Sequence, residues 1–248
     1  MSATIEKDAK WEQAYTIKRP EDYDAFISWA AMNHAGALTA VCELADFQAE
    51  TPLKILELGT GTGLLTQKIL ERFPNAEVLG IDGAAPMLAV AEIRLAPFKA
   101  RFKSTCSSFE NYPWAHVKEG TYDLIVSSFA LHHMDHGAYP IFFAGLRRIL
   151  KPGGRIVVAD FIRSVSDRVQ HQHEGIWVET RRRQMKEALG VEQTREQVWL
   201  DHNRTKQEEG DNPAPLSDLL GWLSESGFED VDCHWKHFCL AVYGGVKV

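Results

Sequence analysis

The sequence predicts a doubly wound α/β fold built on a parallel sheet covered on both faces. Three observations predict it. Short, nearly all-apolar runs (Lys54–Leu58, Glu77–Ile81, Asp123–Ser127 and Arg155–Ala159) alternate with helical stretches, as strands buried on both faces do. The first run ends in a glycine loop, Gly59-Thr-Gly-Thr-Gly63, that opens a helix. The chain has 248 residues, 45% of them hydrophobic, enough for a large core without disulfides or a structural metal.

Residues 1–52 read as a helical preface. Ala25 to Phe47 is rich in Ala, Leu and Met, with Gly36 as the candidate break. Trp11 and Tyr15 lie four apart and share a helical face, able to close over a ligand or to staple the packing. Residues 53–162 form the core. After the glycine loop a helix runs from Leu64 to Phe73, stopped by Pro74, and the second run ends at Asp82. A helix spans Met87 to Leu95, Ala100 to Thr105 is a weaker third strand, and Tyr139 to Leu150 is an amphipathic helix closed by Lys-Pro-Gly-Gly. Residues 163–215 break the rhythm and read as a helical lid: helices over Asp167 to Leu189 and Glu192 to Arg204, then a polar linker over 208–215. Residues 216–248 supply a helix over Leu216–Ser226 and strands over Val231–Trp235 and Phe238–Tyr243.

Lys plus Arg is 27 against 34 for Asp plus Glu, a net charge of −7 that works against nucleic acid, whose binding needs phosphates neutralised. The four cysteines show no paired spacing, so free thiols in a reducing compartment are the simplest account. The first residues are polar and charged, unlike a signal peptide, and no apolar run nears the ~20 residues of a membrane span. A cytoplasmic protein is expected.

The glycine loop permits close approach of a ligand to the backbone, and the helix start offers unpaired N–H groups. A dinucleotide, another nucleoside or a bare structural turn would each use such a loop. A dinucleotide site shows GxGxxG, whereas the glycines here fall at 59, 61 and 63 with Leu64 next. Glu57, just before the loop, would repel a pyrophosphate but accept hydrogen bonds from an ammonium group. Asp82, at the end of the second strand, is placed to accept ribose hydroxyls, though many strands end in Asp as a cap.

The ordered blocks ILELGTGTG, VLGID, YDLIVSSFALHHM and LKPGGRIVVADF resemble the class I S-adenosylmethionine-dependent methyltransferases over about residues 53–162, and GFEDVDCHWKHFCLAVYGG resembles that family's closing strand pair. The resemblance implies a Rossmann-like, mostly parallel sheet of seven strands with the last inserted antiparallel. It implies S-adenosyl-L-methionine as cofactor: Gly59, Thr60, Gly61 and Gly63 against its methionine portion, Asp82 at the ribose, Gly83 and Met87 beside the adenine, Ser127 toward the amino acid moiety. One position departs from the family. Many members carry an acidic residue after the third strand to meet the adenine amino group; here the stretch holds Cys106, a weak acceptor, with Ser107 and Ser108 beside it.

Methyl transfer from a sulfonium needs alignment and exclusion of water, and a base only when the acceptor must lose a proton. His132 and His133 follow the fourth strand on the sheet edge where ligands bind, and either is a candidate base or family scaffolding. With His136 they suggest a metal, but without a matching carboxylate none is expected. Asp160 is a second base candidate or a cap. In the lid, His171, His173, Trp177, Arg181, His202 and Arg204 are candidates to face an acceptor; Arg181-Arg182-Arg183 reads first as a solvated face, because consecutive helical residues point in different directions. The leading expectation is a methyltransferase acting on a small molecule. The alternatives are an RNA or protein methyltransferase, a cofactor-binding protein that senses or remodels S-adenosylmethionine without methyl transfer, and, from another reaction class, a nicotinamide dehydrogenase. The sequence leaves the acceptor and the oligomeric state unnamed.

Overall fold

The computed structural model describes residues 23–110 and 112–248; the Trp11–Tyr15 pair lies outside them. Seven strands form one sheet: β1 (Lys54–Leu58), β2 (Glu77–Asp82), β3 (Phe102–Cys106), β4 (Tyr122–Ser128), β5 (Leu150–Phe161), β6 (Glu229–His237) and β7 (Leu240–Val246). Their order is β3-β2-β1-β4-β5-β7-β6; the first five are parallel, and β7 runs antiparallel between β5 and β6. The chain winds outward from β1 to β3 and then back through β4, so the topological switch lies between β1 and β4, the place where such sheets bind ligands.

Right-handed crossovers explain the layers. Helices α1 (Tyr23–Ala30), α2 (His34–Leu44), α3 (Leu64–Arg72) and α4 (Ala85–Arg94) precede or follow β1 and β2, while α5 (Tyr139–Ile149) connects β4 to β5. Side chains of successive β1 residues part accordingly. Ile55 packs with Leu38, Val41 and Ile69, whereas Leu56 packs with Phe143, Leu146 and Tyr243. The second face is completed by α8 (Leu216–Glu225), through Leu219 and Leu223.

Three of the differences from the sequence reading have a clear local cause. The preface breaks at Asn33, whose backbone is left-handed (φ 63°), and Gly36 sits inside α2. A Cβ on Gly36 would come within 2.5 Å of the Asn33 side chain, so the glycine makes room for the break rather than being it. The Lys-Pro-Gly-Gly turn is an excursion within β5: Leu150 already pairs with Tyr122 and the ladder resumes at Arg155 opposite Leu124. Gly153 bonds Lys247 there, tying the excursion to the end of β7. Helix α6 (Asp167–Leu189) has the expected span, but α7 (Arg195–Glu209) runs past the expected end at Arg204 into the first two residues of the supposed linker and stops at Gly210 (φ 71°). Thr194 and Gln197 form a capping box at its start. The chain then returns beside β5, with Arg163 N–H donating to Ala214. No described helix is long and apolar enough to cross a membrane.

Candidate active site

The carboxyl ends of β1, β2 and β4 open onto a cavity floored by the glycine loop. The loop is pinned to β2 by N–H groups of Gly59 and Thr60 that both donate to Ile81 O, at 2.8 and 3.1 Å. Gly59 has φ 70°, and a Cβ there would lie 2.2 Å from that of Ala130, so the position admits glycine only. Gly61 (φ 55°) faces open space toward Met87, where a Cβ would enter the cavity.

Asp82 shapes the loop and lines the cavity. One of its oxygens accepts from Gly61 N (2.7 Å), the other from Ala84 N (2.8 Å), and each keeps a lone pair for a ligand. Burial pushes its pKa up, while those two N–H groups oppose the shift. Gly83, Met87 and Ser108 share this wall, and His133 and Ser128 lie across from it. No lysine or arginine is among the described lining residues. His34 lines it too, but burial lowers its pKa to about 4, leaving it neutral. A wall with a carboxylate and no strong cation disfavours a pyrophosphate and fits a hydroxyl-bearing nucleoside with positive charge.

Several expected residues stand behind this wall. Gly63 (φ 81°) lets α3 close on α4, where a Cβ would meet Leu95 at 3.0 Å. Ser127 is buried and donates to Leu58 O at 2.8 Å, stitching β4 to β1; its neighbour Ser128, on the opposite face of the strand, lines the cavity instead. Cys106 is exposed and bonds Gly83 O at 3.6 Å, and Ser107 bonds Ser108 O. Glu57 is fully buried and accepts a hydrogen bond from Thr66 on α3.

Burial drives the Glu57 pKa from 4.5 to about 8, against the hydrogen bond from Thr66. The folded protein therefore holds a proton that the unfolded chain releases above 4.5, so Glu57 makes stability fall as pH rises from 4.5 toward 8. Glu57→Gln is expected to abolish this contribution, gaining a few kcal/mol relative to the native protein between pH 5 and 9. Parallel melting curves with the same pH slope for both proteins would show that Glu57 is ionised throughout.

A second cavity lies beneath α6 and α7 and shares Tyr23, Ile27 and Phe129 with the first. His173, Trp177, Arg181 and His202 line it. His171 instead packs on Trp199 (4.9 Å), and Arg204 pairs with Asp201 at the surface. Of the three consecutive arginines, Arg181 alone is a lining residue; Arg182 binds Glu179 and Gln193 O, and Arg183 is exposed.

His132 and His133 part at the boundary, with His133 on the wall of the first cavity and His132 on that of the second. His132 is 3% exposed; its Nδ1 lies 2.6 Å from Asp160 Oδ1 and its N–H donates to Asp160 Oδ2 at 2.9 Å. Burial alone would lower the His132 pKa, but Asp160, with Asp211, outweighs it and pushes the value up to about 10. At neutral pH His132 already carries its proton and cannot serve as a base. Asp160 is spent on holding it.

Sequence reasoning missed four contributors. Tyr23 and Ile27 come from α1, which Asp24 ties to the loop: Thr62 Oγ1 donates to Asp24 at 2.5 Å, and Arg94 pairs with Asp24 while donating to Thr62 O. Glu110, four residues past Cys106, brings a carboxylate to the first cavity's wall. Asp211 reaches the histidines from the end of α7. A search for acidic residues near the third strand would have found Glu110; nothing local marks Asp211.

Residues 55–154 match a family described as a methyltransferase domain. The likeness to a methyltransferase domain covers less than half of the chain. A demethylmenaquinone methyltransferase of Thermus thermophilus is 35% identical over 114 residues, 45% of this chain and 49% of that one. A malonyl-[acyl-carrier protein] O-methyltransferase of Halorhodospira halophila is 30% identical over 128 residues, 52% of this chain and 40% of that one. The chain thus spans about half the length of the curated relatives it matches or less. Among solved structures, phosphoethanolamine N-methyltransferase 2 of Haemonchus contortus with S-adenosyl-L-methionine superposes with a TM-score of 0.63 at 16% identity, over 90% of this chain and 45% of that one, a likeness of fold. The matched methyltransferase domain contains the glycine loop, Asp82 and the two histidines, and stops before α6 and α7.

Proposed function

We propose that the chain transfers a methyl group from S-adenosylmethionine in the first cavity to a small molecule in the second. The observation that carries this reading is the shared boundary at Tyr23, Ile27 and Phe129, which brings the glycine-loop cavity against the one beneath α6 and α7. When bound, the cofactor supplies a methyl group on a sulfonium, whose carbon–sulfur bond breaks with its electrons left on sulfur.

In this reading Asp82 accepts the ribose hydroxyls, and the backbone of Gly59, Thr60 and Gly61 lies along the methionine portion. Gly83, Met87, Ser108 and Glu110 border the adenine, while Glu57, Cys106, Ser107 and Ser127 support the wall from behind. Tyr23 and Ile27 exclude water from above. His133, at the boundary, takes the proton of an acceptor that must lose one, and His132 positions it. Residues 1–52 act as a cap and 163–215 as a lid on the single core of 53–162, closed by 216–248. The net charge of −7 favours a small acceptor over nucleic acid, and four free thiols suit the cytoplasm. Relatives named as a demethylmenaquinone methyltransferase and a malonyl-[acyl-carrier protein] O-methyltransferase support this reading.

Calorimetry with S-adenosylmethionine, its demethylated product and NAD tests the cofactor; incubation with methyl-labelled cofactor and a metabolite extract tests the transfer. Micromolar binding of the first two, no binding of NAD and label in the small-molecule fraction are expected. Binding of NAD alone would refute the reading, and a cofactor complex that never releases its label would make the protein a sensor.

A further inference from the structure

We propose that His132 Nε2, His133 Nδ1 and Asp211 Oδ1 form a binding site for a zinc-type divalent cation at the boundary of the two cavities. The three ligand atoms lie within 4.8 Å of one another. Asp211 Oδ1 is 3.6 Å from His132 Nε2 and 3.7 Å from His133 Nδ1. Those separations are too long for hydrogen bonds, and this buried oxygen has no hydrogen-bond partner among the described residues. They are close to the roughly 3.0–3.4 Å between donors that share one ion at bonds of about 2.0–2.2 Å. Binding draws the three donors, within 4.8 Å of one another in the free protein, around one ion.

The surroundings are those of a built site. Asp160 holds His132 by Nδ1 at 2.6 Å and so aims Nε2 at the cluster, the carboxylate–histidine arrangement that orients metal ligands; a cation at Nε2 displaces the proton that His132 carries in the ion-free protein. Asp211 is fixed through its neighbour: Asn212 N donates to His132 O (2.8 Å), and Asn212 Nδ2 donates to Met134 O (2.9 Å). The segment carrying the carboxylate is thereby bound to the segment carrying both imidazoles. His136, the third histidine of the sequence cluster, is directed to Asn212 O at 3.0 Å and takes no part.

Two imidazoles and one carboxylate suit zinc, cobalt or ferrous iron, whereas magnesium prefers oxygen donors and retained water. Three protein ligands leave a coordination position open. His133 borders the first cavity, and His132 and Asp211 border the second, so an oxygen donor on an acceptor (a phenol, an enol or a carboxylate) can fill that position. This last step rests on the methyl-transfer reading; the cation site does not.

The test uses the full chain stripped with a chelator and titrated with Co²⁺, Zn²⁺ and Mg²⁺. One equivalent of Co²⁺ is expected to bind with visible ligand-field bands, to be displaced by Zn²⁺ and to be untouched by Mg²⁺. Asp211→Asn and His133→Ala should each weaken Co²⁺ binding by about tenfold or more. Absence of one-equivalent binding, or binding unchanged in both variants, overturns the site. X-ray absorption on the native zinc form decides the matter without variants: two imidazoles and an oxygen donor support the assignment, and sulfur in the shell overturns it. S-adenosylmethionine calorimetry on the stripped protein separates a failure of this site from a failure of the methyl-transfer reading.

Discussion

Replacement of Asp82 by alanine is expected to weaken S-adenosylmethionine binding by about 100-fold or more. The carboxylate is 9% exposed and holds the loop through Gly61 N and Ala84 N. In the proposed complex it also accepts two ribose hydroxyls. Hydrogen bonds to a charged group contribute about 1.5–3 kcal/mol each, so losing two costs at least about 3 kcal/mol, a factor of more than 100 in affinity. Asp82→Asn keeps one acceptor oxygen and should lose about tenfold. A cofactor analogue lacking the ribose hydroxyls separates the two tasks of this residue. It should bind the native protein weakly and lose little more in Asp82→Ala, because the partners act as a coupled pair. If the analogue loses as much in the variant as the natural cofactor does, Asp82 acts through loop geometry alone and the ribose assignment fails.

What the sequence exposed, and what it hid, follows from how local each constraint is. The apolar run across Lys54–Leu58 and the glycines after it are local requirements written into consecutive residues, and the β1 end and its loop appear where they were expected. Seven strands with an antiparallel insertion came from resemblance, since no property of Leu240–Val246 alone reveals its place between β5 and β6. Facing was harder. Ser127 and Ser128 differ by one position, and only the pleat decides which enters the cavity. Polar composition misled at Glu208–Glu209, because α7 is ended by Gly210 rather than by loss of helix formers, and Glu209 is buried. Asp211 was invisible for the plainest reason. It lies far from His132 in the chain, and only the return of the α6–α7 segment beside β5 brings the two together.

Removing that cluster's anchor should be the most damaging single change to stability. Asp160 sits at the end of β5, 2% exposed, and accepts from His132 N, His132 Nδ1 and Phe161 N. Asp160→Ala leaves a buried imidazole and a buried N–H without their partner. Breaking a buried pair on one side costs about 3–5 kcal/mol, which lowers the melting temperature of a domain of this size by roughly 10 °C. The pH dependence has a definite sign. His132 has its pKa raised from 6.5 to about 10, so its pairing contributes fully below 6.5 and fades as pH rises toward 10. The gap between native protein and variant should therefore be widest near pH 6 and narrow steadily above it, in melts performed with chelator present. His132→Asn in the Asp160→Ala background should add much less than it does alone. A gap that stays constant from pH 6 to 10 would mean that His132 is neutral in the fold, and the task of holding the proton at the cavity boundary would pass from His132 to its neighbour.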